Sequence, residues 1–165
     1  YSYVNIGRYH TLGGNVGGKW GHAGWHVSAG AAITGVRDEL ADTTGRPYLF
    51  SPEVRASIEK DWKHAWRASV YWKYQGSQNN YVLTDAGVAH GTIADYQMAD
   101  ASASKGLWKE RLWLTLGCKN ILDVRDLNAS MGEGGVHSGG GGSVPLATGR
   151  TWFVRLALEL KKQDR

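Results

Sequence analysis

The chain has 165 residues, a formal net charge of +4, 42% hydrophobic and 21% charged residues, and one cysteine. That is a single domain's length; the composition excludes disordered and collagen-like classes, and a lone thiol rules out a disulfide framework or a cysteine-built zinc cage. No apolar run reaches the roughly 18 residues that a membrane helix needs, and the basic residues are dispersed rather than gathered into a nucleic-acid stripe. What stands out is 23 Gly, 8 Trp and 8 Tyr against 2 Phe, with almost no helical periodicity, so the chain reads as all-β.

Seven stretches alternate with period two, as half-covered strands do. The first, 11–20, is glycine-rich, with Leu12, Val16 and Trp20 opposite Thr11, Asn15 and Lys19. In 25–36, Trp25, Val27, Ala29, Ala31 and Ile33 alternate with His26, Ser28, Gly30, Ala32 and Thr34. In 52–62, Val54, Ala56, Ile58 and Trp62 alternate with Glu53, Arg55, Ser57, Glu59 and Asp61. The stretch 66–75 sets Trp66, Ala68, Val70, Trp72 and Tyr74 against Arg67, Ser69, Tyr71, Lys73 and Gln75. A weaker stretch at 95–107 sets Ala99, Ala101 and Ala103 against Asp100, Ser102 and Ser104. In 112–119, Leu112, Leu114, Leu116 and Cys118 share one face and Trp113, Thr115, Gly117 and Lys119 the other. The last, 150–160, sets Trp152, Val154, Leu156 and Leu158 against Thr151, Phe153, Arg155 and Glu159. Across the six stronger stretches only Lys60 interrupts the apolar face, near enough to a turn for its ammonium to reach an interface.

The connections alternate in length. Tight turns are expected at Gly21–Gly24, Lys63–Ala65 and Lys109–Arg111, and long links at 38–51, 77–94 and 126–149, the last with the run Gly139–Gly142. Short turns at one end and long loops at the other describe an outer-membrane barrel meander, whereas sandwiches use Greek-key crossings. Six tryptophans flank the tight turns: Trp20 and Trp25, Trp62 and Trp66, Trp108 and Trp113. Indole favours the membrane–water interface, where its ring is half in hydrocarbon and its N–H finds a partner. Two registers follow: Trp62 opposite Trp66 with Asp61 opposite Arg67, and Trp20 opposite Trp25 with Lys19 opposite His26. The third hairpin mixes odd and even apolar positions, which predicts a bulge or a longer turn. About five apolar positions per strand suit a tilted crossing of about 30 Å of hydrocarbon. Seven is odd, while bacterial single-chain barrels have even strand numbers, and an open sheet in lipid leaves two bare edges. The remaining strands are therefore expected to lie outside residues 1–165, upstream of Tyr1 in preference to another subunit.

Several motifs carry a resemblance. Tyr3-Val4-Asn5 before a glycine-rich strand, then Gly117-Cys118-Lys119-Asn120-Ile121-Leu122-Asp123-Val124, then Gly149-Arg150-Thr151-Trp152-Phe153-Val154, occur in this order. Together they resemble the last third of TonB-dependent outer-membrane receptors. Cys118 stands where that family usually has an aliphatic residue, Leu122 where it has Phe, and the chain runs past Leu160 into Lys161-Lys162-Gln163-Asp164-Arg165 rather than ending on an aromatic. The resemblance implies an antiparallel transmembrane barrel of 22 strands, filled by a plug that is not in this chain, in the bacterial outer membrane. It also implies active import of a scarce ligand, such as a ferric siderophore or haem, energised by the TonB coupling protein through the plug. Uptake of cobalamin or an oligosaccharide is an alternative, as are a passive porin or adhesin barrel and a soluble, Trp-rich, carbohydrate-binding sandwich.

Catalytic motifs are absent: there is no nucleophile elbow, metalloprotease helix, phosphate loop or dinucleotide fingerprint, so no enzyme, cofactor or resident metal is expected. Glu59 and Asp61 share a face with Arg55 and Arg67, which fits a charge-balanced wall better than an acid–base pair. His90 and His137 fall in the two longest links, where imidazole can ligate haem iron or a metal chelate, and Tyr81 follows Gln78-Asn79-Asn80, where it can stack on a ligand. Asn120 and Asp123 are the residue types that satisfy backbone where a strand becomes a loop.

Overall fold

The computed structural model describes residues 9–38, 48–84, 87–130, 142–145 and 147–159, and among them there are eleven strands and no α-helix. Seven long strands form one sheet: β1 (Tyr9–His22), β2 (Trp25–Asp38), β3 (Leu49–Trp62), β4 (Trp66–Gln75), β7 (Tyr96–Leu107), β8 (Leu112–Lys119) and β11 (Thr151–Leu158). Their order is β1-β2-β3-β4-β7-β8-β11, every neighbour antiparallel, so the sheet is an up-and-down meander with β1 and β11 at its edges. All seven coincide with the alternating stretches of the sequence.

Four further strands lie where the sequence suggested only links. β5 (Gln78–Thr84) pairs with β6 (Gly87–Ile93), and β9 (Asp126–Ser130) with β10 (Gly142–Pro145). They join as a second sheet, β10-β9-β6-β5, because Thr92 and Ile93 pair with Ser130 and Ala129. These strands are short and join segments distant in sequence, so no window of alternation announces them.

Register fixes which residues share a face. Trp62 faces Trp66, Ile58 faces Val70 and Asp61 faces Arg67, as the sequence predicted. The first hairpin differs: Trp20 faces Val27, Lys19 faces Ser28, and Trp25 faces His22. The reason is the turn. Ala23 and Gly24 both adopt positive φ, 49° and 76°, a two-residue connection that extends β1 through Gly21 and His22 up to the start of β2. Such turns match the strands' twist, and this one shortens the expected loop by two residues, both on the β1 side. A two-residue slip preserves the faces, so the apolar set is unchanged. The third hairpin has no bulge; the four residues 108–111 between β7 and β8 absorb the parity change, with Ala103 opposite Leu116 and Ala101 opposite Cys118.

Nothing among the described residues covers the apolar face. Val54, Val70 and Leu156 are 37%, 50% and 67% exposed, and the buried hydrophobic residues among those described are Cys118 and Leu127. A continuous apolar surface of this extent is costly in water and marks a surface made for another apolar phase. A sandwich, which buries one sheet face against a second sheet, is thereby set aside.

Candidate functional site

Opposite the apolar face lies a wall of charge and hydroxyl groups. Arg67 Nε donates to Asp61 Oδ1 at 2.6 Å and lies 3.5 Å from Glu59 Oε1, while His26 Nε2 lies 3.4 Å from Asp61 Oδ2. Lys73 Nζ sits 3.0 Å from Glu53 Oε2, and Arg55 3.8 Å from Glu53 Oε1. Between these pairs, cross-strand hydroxyls bond to one another: Ser28 with Ser57 at 2.7 Å, Ser69 with Ser102 at 2.9 Å and Ser104 with Thr115 at 2.8 Å. His26, Glu59 and Asp61 bring metal-ligand atoms within 4.8 Å of one another. Arg67 contacts both carboxylates, so the three side chains form an ion-paired cluster. The expected charge-balanced wall is what the geometry shows, with Arg67 as its hub.

The tight-turn rim carries the tryptophans. Trp20, Trp25, Trp62 and Trp66 stand exposed on the apolar face beside the first two turns, and Trp108 lies in the third turn, 74% exposed. Trp113 departs from this set. Its odd position in β8 places it on the charged face, half-buried, under the Arg67 guanidinium at 5.5 Å from the ring centroid. The parity of 112–119 sets that face, even though Trp113 neighbours the turn. A second lysine, Lys105, joins Lys60 on the apolar face. Lys60 Nζ lies 4.7 Å from the Trp25 ring and donates to the Ala23 carbonyl at 2.8 Å. Lys105 Nζ lies 4.9 Å from the Trp66 ring and donates to the His64 carbonyl.

At the opposite end, the two C-terminal motifs interlock. Asn120, only 2% exposed and with φ 51°, donates from Nδ2 to the Val124 carbonyl at 2.7 Å and accepts the Val124 N–H at 3.1 Å. Its own N–H donates to Asp100 Oδ1 at 2.8 Å. Asp123 Oδ1 accepts the Arg150 N–H at 2.7 Å, and Arg125 donates to both its oxygens. The Arg150 guanidinium donates twice to the Ile121 carbonyl, at 3.0 and 2.7 Å. Gly149, with φ 83°, has no room for a side chain: a Cβ there would lie 2.9 Å from Asp123 Oδ1. The Arg150 N–H, and secondarily the Arg125 guanidinium, hold the Asp123 carboxyl below the usual carboxylate range. The expected backbone-satisfying role of Asn120 and Asp123 is what the contacts show, and it clamps the start of β11 to the end of β8.

Two of the three ligand candidates lie in the four-stranded second sheet. Tyr81 of β5 and His90 of β6 are register partners, directly opposite across the hairpin. His137 lies outside the described residues. Comparison with known proteins then bears on the whole: the family model described as TonB dependent receptor-like, beta-barrel, matches residues 1–121. No curated protein and no solved structure matches the chain.

Proposed function

Since the chain belongs to the TonB-dependent receptor β-barrel family, whose members are outer-membrane transporters rather than enzymes, we propose that it forms the closing strands of a 22-stranded receptor importing a metal chelate, a ferric siderophore or haem. The observation that carries this reading is the uncovered apolar face of an up-and-down sheet whose other face is charged. Outer-membrane lipid covers the first face, and the lumen with its plug lies against the second. Hydrocarbon offers no hydrogen bonds to bare strand edges, so the remaining strands of the same receptor pair with β1 and β11. The plug relays energy from TonB.

The outer hairpin supports a metal chelate as cargo. Tyr81 and His90, opposite one another at its centre, are residue types that stack on a macrocycle and ligate iron. The test uses the full receptor, purified in detergent and titrated separately with haem and with a ferric siderophore. Tyr81→Ala combined with His90→Ala is expected to weaken the chelate that binds by tenfold or more, about 1.4 kcal/mol. Binding of cobalamin or an oligosaccharide in place of either chelate overturns the cargo, and a receptor that stays monomeric without detergent overturns the barrel.

A further inference from the structure

We propose that the tight-turn rim holds two binding sites for the phosphate of an anionic phospholipid, one at Lys60 and one at Lys105. The two lysines are arranged alike. Each stands directly across the strand pair from a tryptophan that begins the second strand of a hairpin: Lys60 opposite Trp25, Lys105 opposite Trp66. Each ammonium lies over that indole, at 4.7 and 4.9 Å, and donates one hydrogen bond to a carbonyl of that hairpin's turn, Ala23 or His64. Both acceptor residues have positive φ, 49° and 62°. The same device thus recurs on two hairpins, with the same partners in the same order.

Charge identifies what completes it. An ammonium has three N–H donors, and the turn carbonyl takes one, leaving two. Neither lysine is ion-paired among the described residues, whereas the carboxylates near the turns on the charged face, Glu59 and Asp61, are taken by Arg67. Lys63 and Lys109 in the adjoining turns add positive charge against Glu110. The indole anchors beneath each ammonium fix its depth at the layer where headgroups lie. In barrels of this kind the short turns face the periplasm, where the leaflet is phospholipid. Two uncompensated cations, each aimed along the rim from the lipid-facing side, are complementary to the phosphate of a lipid carrying net negative charge. The inference rests on the membrane placement proposed above.

The experiment is native mass spectrometry of the full receptor taken from bilayers of equal phosphatidylglycerol and phosphatidylethanolamine. The wild type is expected to retain two phosphatidylglycerol molecules in preference, Lys60→Gln or Lys105→Gln one, and the double variant none. The paired Lys60→Arg and Lys105→Arg variant is expected to restore two, since charge is kept. Equal retention of both lipids, or phosphatidylglycerol retention unchanged by the glutamines, overturns the proposal. Displacement by millimolar inorganic phosphate shows a free-anion site instead and also overturns it. Heat-modifiable migration on gels verifies that each variant keeps its barrel. If the double variant does not fold, the wild type decides, because retention must rise with the mole fraction of phosphatidylglycerol at constant acyl composition. A receptor that needs no detergent sinks the membrane placement itself; one that needs detergent but shows no lipid preference sinks only the two sites.

Discussion

Ala56 stands near the middle of β3 on the apolar face, between Ala29 and Trp72, and its neighbour Ser57 faces the charged wall. One position along the chain separates the apolar face from the charged wall. Ala56→Arg is expected to destabilise the barrel by about 2–4 kcal/mol, the cost of a cation at the midplane of a membrane strand. Ser57→Arg forfeits only the hydroxyl pair with Ser28, about 1 kcal/mol. Urea unfolding of the two receptors in liposomes measures the difference, and equal costs would mean that the faces are wrongly assigned. Lys60 and Lys105 show why the native sequence tolerates charge on that side: near the rim the penalty falls to about 0–1 kcal/mol, and an indole and a turn carbonyl receive each ammonium. Asp123 adds a pH dependence. Its carboxyl is held below its ordinary value, so the stability it confers is present above the unfolded pKa of about 3.9 and is lost as pH falls through the lower folded value. Amides at 147–150 should therefore exchange faster with solvent under strongly acidic conditions, and Asp123→Asn should remove that pH dependence.

At the scale of elements, turns decide register. Gly24→Ala is expected to cost about 1–3 kcal/mol, because φ is 76° and a Cβ would lie 2.7 Å from the Asp61 carbonyl oxygen, whose residue donates its N–H to Gly24. Chemical denaturation of the reconstituted receptor measures it. Asn120→Ala leaves the Val124 N–H and carbonyl unpartnered in a buried corner and puts alanine at φ 51°; about 3 kcal/mol is expected. Asn120→Gly should recover only the backbone part. The long strands were legible in the sequence because each carries five or so alternating side chains. The β3–β4 register was legible as well, since Trp62, Asp61 and Ile58 each have a partner of matching type across the turn. β1 lacks that information: Gly13, Gly14, Gly17 and Gly18 offer nothing to pair, so the backbone of Ala23 and Gly24 sets the alignment. The motif pair around Asn120 and Arg150 could be read as structural, but that the two clamp one another depends on β8 and β11 being neighbours. The outer sheet escaped the sequence altogether, because β6–β9 pairing joins residues nearly forty positions apart.

For the molecule as a whole, one apolar face and one charged face place it between two media. Extraction from membranes is expected to require detergent, and removal of detergent to precipitate the receptor; a clear solution of folded monomer would contradict the bilayer-covered face.

The pairing of Thr92 and Ile93 with Ser130 and Ala129, together with the Ala94 N–H donated to the Asn128 carbonyl at 2.8 Å, ties two separate surface excursions into one plate. Shortening either excursion should unseat the other, visible as new protease cuts in the untouched one. Displacement of either is therefore expected to move its neighbour directly, without passing through the seven-stranded sheet.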